Sequence, residues 1–122
     1  MLFRSGRPRL EPSFLPSLID QVYAVPDAAS IAAARVLSRR IGRSCGGSTG
    51  TNLWAAASLI VGMAARGQRG SVVTLLCDSG DRYRSTHQDD GWLRQRGIKI
   101  GPAEATMERF FATGVFADGA DT

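Results

Sequence analysis

Apolar positions along the chain change period several times. Over residues 19–25, Val22, Tyr23 and Val25 are β-formers in a short run, which predicts a strand. Pro26 and Asp27 interrupt it, and Asp27 is suited to cap a helix over residues 28–41. Ile31, Ala34, Val36, Leu37 and Ile41 then recur at helical spacing, with Arg35, Arg39 and Arg40 mostly on the opposite side. Residues 42–52, G-R-S-C-G-G-S-T-G-T-N, read as a Gly-rich loop, and an Ala- and Leu-rich helix with Trp54, Leu59 and Met63 follows to about Arg66. The run S-V-V-T-L-L-C over residues 71–77 is apolar on both faces, the pattern of a strand buried in a parallel sheet. It stops at the turn formers Asp78, Ser79, Gly80 and Asp81. A short helix beginning near Asp89 and Asp90, and a last helix over residues 102–111 with Met107, Phe110 and Phe111, complete the pattern.

The order β-α-α-β-α predicts an α/β fold, part of a three-layer αβα sheet. Two strands make an incomplete sheet with both edges open, so the sheet reads as incomplete at its N-terminal side. Three prolines in the nine residues from Pro8 to Pro16 give residues 1–18 the character of a connection from a missing N-terminal part. Residues 19–112 are expected to form the folded unit and residues 113–122, rich in Gly and Ala, a flexible tail.

Composition narrows the function classes. At 122 residues, 43% hydrophobic and 21% charged, the chain is an ordinary globular one. Its longest apolar run, residues 53–65, is too short to span a bilayer, and no secretory signal is present, so a cytoplasmic protein with no membrane partner is expected. Two cysteines, Cys45 and Cys77, and one histidine, His87, give no metal-ligand spacing; no metal is expected, and small buried side chains are the simplest reading of the cysteines. A net charge of +4 raises nucleic acid as a partner, but the Arg35, Arg39, Arg40, Arg43 cluster lacks interleaved aromatics and reads better as a solvated helix face.

In open α/β sheets, ligands sit past the carboxyl ends of strands, which places Ser79 at a candidate site. A serine-hydrolase triad of Ser79, His87 and Asp78 is rejected, because no nucleophile elbow surrounds Ser79 and a lone histidine in a polar turn is usually exposed. Asp89 and Asp90 are adjacent in sequence and suit a helix start better than a paired acid and base. The Gly-rich loop lacks the lysine of a P-loop.

The motifs together resemble one family. S-V-V-T-L-L-C-D-S-G-D-R-Y-R-S-T is similar to the C-terminal signature of the pyridoxal-phosphate-dependent cysteine synthase and cystathionine β-synthase family, of the tryptophan-synthase-β fold (fold type II). G-G-S-T-G-T-N-L-W-A-A, some twenty-five residues earlier, resembles that family's G-x-S-S-G-A helix start. G-R-P-R-L-E-P-S-F-L-P and V-P-D-A-A-S-I-A-A-A-R also fit, and the details are most similar to the L-cysteine desulfhydrase branch. The resemblance runs from about Gly6 to Leu93. It implies pyridoxal phosphate as cofactor and a small amino acid as substrate. The implied reaction is β-elimination of L-cysteine to pyruvate, ammonia and sulfide, or cysteine synthesis by β-replacement. The full-length enzyme is expected to be a homodimer. Ser79 matches the serine that hydrogen-bonds the pyridine nitrogen, and Gly6 the second glycine of a loop beside the cofactor, where Arg4 stands in place of the first. The family's Schiff-base lysine has no counterpart: Lys99, the one lysine, matches nothing catalytic, so no catalytic residue is assigned. The chain by itself is expected to be inactive, as a fragment or as a non-catalytic packing module.

Overall fold

The computed structural model describes residues 15–117. Four α-helices order the chain: α1 Asp27–Ile41, α2 Gly47–Ala65, α3 Asp90–Gln95 and α4 Gly101–Thr113, with 3-10 turns at Pro16–Leu18 and Gly80–Tyr83. Helix α1 is the hub. Its alanines carry almost no bulk, so neighbours pack on several sides of it. Ala29, Ala33 and Val36 meet Trp54 and Ala57 of α2 and Met107 of α4. Ile31 and Ala32 meet Leu93 of α3 and Ile100. Ala29 to Ala34 are all buried, so the helix is more enclosed than the single apolar stripe expected for it, while Ile41 at its end is exposed.

The helix ends follow local chemistry. Helix α1 starts one residue earlier than expected: Pro26 occupies the cap in extended geometry, and Asp27 sits in the first turn, where its charge favours the helix dipole. Gly42 ends α1 at φ 66°, the left-handed conformation that favours glycine. Asp89 caps α3 by accepting from the Trp92 amide at 2.9 Å, as its position before the apolar pair implies. Arg39 reaches Glu104 and Glu108, and Arg40 reaches Glu108, so the arginine face of α1 is tied to α4. Both Arg39 and Arg40 are well exposed, and exposed pairs of this kind add little stability.

Two expectations need correction. Helix α2 begins at Gly47, so most of the Gly-rich stretch is helix rather than loop. The cause is tertiary. A Cβ on Gly50 would overlap the Ser30 carbonyl oxygen and come within 2.8 Å of the Ala34 amide nitrogen, so α2 lies directly on the backbone of α1 at this point. The hydroxyls of Ser30 and Thr51 bond across the same contact at 2.6 Å.

The second correction concerns the sheet. Among the described residues there is no β-strand, only an isolated antiparallel bridge between Cys45 and Ser79. Residues 71–77 make no backbone–backbone hydrogen bond with any described residue. All but the half-buried Val72 are exposed, with Val73 at 87% and Leu75 at 70%. Residues 19–25 likewise form no strand, and Val22 is exposed. β-Propensity describes fit to a pleated, half-buried surface, and a run without a partner strand has no such surface.

Enlarging Gly50 tests the helix crossing. Gly50→Ala is expected to lower unfolding stability by about 2 kcal/mol despite alanine's better helix propensity, because the clash is with backbone that cannot rotate away. Urea unfolding followed by helical circular dichroism measures it; an unchanged or raised midpoint would contradict the close crossing.

Candidate functional site

The Ser79 turn is held by the start of α2. The Gly46 amide donates to the Asp78 carbonyl at 3.0 Å, and the Gly80 amide donates to the Ser44 carbonyl at 3.2 Å. These two bonds flank Ser79. The pairing leaves no room for a side chain at Gly80 and little at Gly46. A Cβ at Gly46 would come within 3.0 Å of the Tyr83 ring, and one at Gly80 would lie 2.6 Å from both the Cys45 carbonyl oxygen and the Gln88 amide nitrogen. Thr49, buried to 2% exposure, accepts from the Cys77 amide through Oγ1 at 2.8 Å. Asn52 donates through Nδ2 to the Leu75 carbonyl at 3.3 Å. The first turn and a half of α2 therefore fixes the chain on its way into Asp78-Ser79-Gly80.

Ser79 itself is exposed and caps the 3-10 turn Gly80–Tyr83, its Oγ accepting from the Asp81 amide at 3.2 Å. That leaves the hydroxyl hydrogen free for an external acceptor. Arg82 pairs with Asp78 at 3.3 Å and Arg84 with Asp81 at 3.2 Å. Gly6 lies outside the described residues. Lys99 stands exposed in the connection between α3 and α4. No group of three or more His, Cys, Asp or Glu side chains among the described residues could hold a metal.

His87 departs from the exposed surface histidine expected of it. Its ring stacks on Tyr83 with centroids 4.8 Å apart and planes 5° apart, and meets Trp92 at 5.7 Å. Gly47 makes room for it, since a Cβ there would sit 3.1 Å from His87 Cε1. Nδ1 is buried with no hydrogen-bond partner among the described residues. Burial pushes the His87 pKa below the ordinary 6.5; the Asp27 carboxylate opposes this and the Arg35 guanidinium reinforces it. Arg35 also donates twice to the His87 carbonyl, at 2.8 and 3.0 Å, and once to Asp90 at 2.8 Å. That hydrogen bond is the main reason the Asp90 carboxyl titrates below the usual range. So Arg35, read from the sequence as one of a solvated row, is the strut that joins α1 to the segment after the Ser79 turn.

The Ser79-His87-Asp78 triad is not assembled. Ser79 Oγ bonds Asp81, Asp78 bonds Arg82, and His87 Nδ1 bonds no described residue. Cys45 is buried, as expected, but Cys77 is exposed, because the run that carries it is uncovered. A cleft of about 370 Å³ opens beside the turn, lined by Arg35, Ser38, Arg43, Ser44, His87 and Gln88 among others. Ser79 is not part of its lining.

The residues fit one end of a pyridine-ring cofactor. A neutral hydroxyl with a free hydrogen, on a turn braced from both sides, is a donor suited to an unprotonated ring nitrogen.

Known proteins share this stretch. The chain is 58% identical over 104 residues to an L-cysteine desulfhydrase of Mycobacterium tuberculosis, a match covering 84% of this chain and 28% of that protein. It is 34% identical over 93 residues to a putative pyridoxal-phosphate-dependent protein of Caenorhabditis elegans, covering 73% and 21%. A putative cysteine synthase of Sinorhizobium fredii is 36% identical over 89 residues, covering 73% and 25%. The chain thus spans about a quarter of the length of the curated relatives it matches. No family model and no solved structure matches.

Titration tests the His87 environment. A histidine whose folded pKa is lowered favours the folded state above its unfolded pKa, and that contribution is lost as pH falls from 6.5 through the lowered value. Unfolding midpoints are expected to drop between pH 7.5 and 5, before the carboxylates begin to titrate. His87→Phe, which keeps the stack on Tyr83, is expected to remove this part of the profile. The same drop in the variant would contradict the assignment.

Proposed function

We infer that the chain works as part of a pyridoxal-phosphate-dependent enzyme of the cysteine synthase and cystathionine β-synthase family, the family of its relatives. The observation that carries this is the 58% identity over 104 residues. In a chain of 122 residues, a match of that length has to include both the start of α2 and the Ser79 turn.

In this reading Ser79 donates its free hydrogen to the cofactor's pyridine nitrogen. When bound, pyridoxal phosphate supplies the electron sink for β-elimination or β-replacement at an amino acid. A neutral hydroxyl, unlike a carboxylate, leaves the ring nitrogen largely unprotonated and the sink mild. Thr49, Gly46 and Ser44 keep that hydroxyl in place. Gly6 stands beside the cofactor in the same reading. The substrate favoured is L-cysteine, cleaved with water to pyruvate, ammonia and sulfide, with cysteine synthesis as the related alternative. Residues 71–77 form an inner strand of the enzyme's parallel sheet. The complete enzyme is a cytoplasmic homodimer. No helix among the described residues is long and apolar enough to cross a membrane, in keeping with a protein that has no membrane partner. Nucleic acid is disfavoured, because Arg35, Arg39 and Arg40 are engaged by carboxylates.

The amine that must hold the cofactor covalently comes from outside this chain, since Lys99 matches no catalytic lysine. The chain alone with pyridoxal phosphate is expected to release no sulfide from L-cysteine above a cofactor-only control. A chimera that joins the preceding region of the Mycobacterium tuberculosis relative to this chain is expected to release it, and Ser79→Ala in the chimera to lower turnover by about tenfold, the loss of one hydrogen bond. Turnover by the chain alone, or a chimera indifferent to Ser79→Ala, would overturn the assignment.

A further inference from the structure

Helix α2 holds the Ser79 turn from upstream, and a second hold reaches it from downstream. Gly80 has both of its backbone groups engaged. Its amide donates to the Ser44 carbonyl at 3.2 Å, and its carbonyl accepts from the Gln88 side-chain nitrogen Nε2 at 3.0 Å. The same nitrogen donates to Ser44 Oγ at 2.9 Å, so both of its hydrogens are used. A carbonyl only accepts, which requires the nitrogen and not the oxygen of the Gln88 amide to face Gly80. A side chain at residue 80 would take this space, because its Cβ would lie 2.6 Å from that nitrogen and overlap Ser44 Oγ. Gln88 is anchored in turn. Its backbone amide donates to the Tyr83 carbonyl at 3.0 Å, and the His87 carbonyl just before it accepts twice from Arg35 of α1.

The peptide unit between Gly80 and Asp81 carries the consequence. It is planar and trans, so the Gly80 carbonyl and the Asp81 amide point in opposite directions from one rigid plate. Gln88 grips the carbonyl, and the Asp81 amide donates to Ser79 Oγ at 3.2 Å. Fixing one end of the plate aims the other. Without that grip, a glycine at residue 80 would let the plate turn over a wide range. We propose that Gln88 is a positioning residue for the Ser79 hydroxyl. By holding the Gly80–Asp81 peptide, it fixes the direction from which the Asp81 amide meets Oγ, and so the directions left to the hydroxyl's own hydrogen. Thr49 of α2 sets the chain before Ser79, and Gln88, seated on α1 through Arg35, sets the chain after it. The effect on chemistry rests on the reading of Ser79 as donor to a pyridine nitrogen; the effect on the turn does not.

Residue-resolved amide exchange of the full chain at one pH tests the clamp without any cofactor. Gln88 is exposed, so Gln88→Ala empties no core. That variant is expected to raise the Asp81 amide rate by about fivefold, the loss of one hydrogen bond, while the Cys77 amide, held by Thr49, keeps its rate. Gln88→Glu keeps the shape but sets an acceptor against the Gly80 carbonyl, and is expected to raise the Asp81 rate at least as much. An Asp81 rate unmoved by both variants would overturn the proposal. So would a Cys77 rate that rises in step with it, which would mean general loosening. In the chimera with the preceding region of the Mycobacterium tuberculosis relative, Gln88→Ala is expected to lower kcat by about threefold with little change in KM for L-cysteine. In a Ser79→Ala background it is expected to add nothing, because it acts through that hydroxyl. Equal losses in both backgrounds would overturn the positioning role. A chimera indifferent to Ser79→Ala as well would overturn the cofactor reading, and the Asp81 exchange rate would still decide the clamp.

Discussion

The closeness of α2 to α1 at Gly50 is the constraint on which the site depends. With no side chain there, the first turn of α2 rests on the Ser30 carbonyl and the Ala34 amide. That contact decides where Gly46, Thr49 and Asn52 stand. Those three residues, with Ser44, in turn decide where residues 75–80 run. The small residues of α1 serve the same end: a helix built of alanine admits α2, α3 and α4 onto its surface at once. Bulk on α1 would move α2, and Ser79 would move with it.

The chemistry is divided in a corresponding way. This chain presents a braced hydroxyl donor and no lysine to match it. In the proposed reading, that donor would tune a cofactor anchored by another group. The run 71–77 leading into the turn is uncovered among the described residues. Its side chains have the apolar content of an inner strand, and nothing among the described residues covers them.

Much of this was legible in the residues. Periodicity found α1, α3 and α4, and Asp89 was readable as the start of α3 from its place before Gly91-Trp92-Leu93. The turn formers around Ser79 marked the site, and the absence of a triad followed from the residues flanking Ser79. Three things were hidden because their causes lie far away in the chain. The start of α2 looked like a loop, since Gly50 answers to the backbone of α1 some twenty residues earlier and Gly46 and Gly47 to the Tyr83 and His87 rings some forty residues later. No strand forms among the described residues, because β-forming side chains specify a surface, while a ladder needs a neighbour the run does not itself supply. His87 and Arg35 looked solvated because the Tyr83 stack and the His87 carbonyl are not visible in local composition. Gly6 lies outside the described residues, so its role stays with the family resemblance alone.

Amide hydrogen exchange resolved by residue tests most directly whether α2 braces the Ser79 turn. The Cys77 and Gly80 amides, which donate to Thr49 and Ser44, are expected to exchange slowly beside a Val73 amide that exchanges faster. Thr49→Val is expected to raise the Cys77 rate by about tenfold while leaving amides inside α1 unchanged. Exchange at Cys77 and Gly80 as fast as at Val73, or a Cys77 rate unmoved by Thr49→Val, would mean that the turn carrying Ser79 is held by something other than the start of α2.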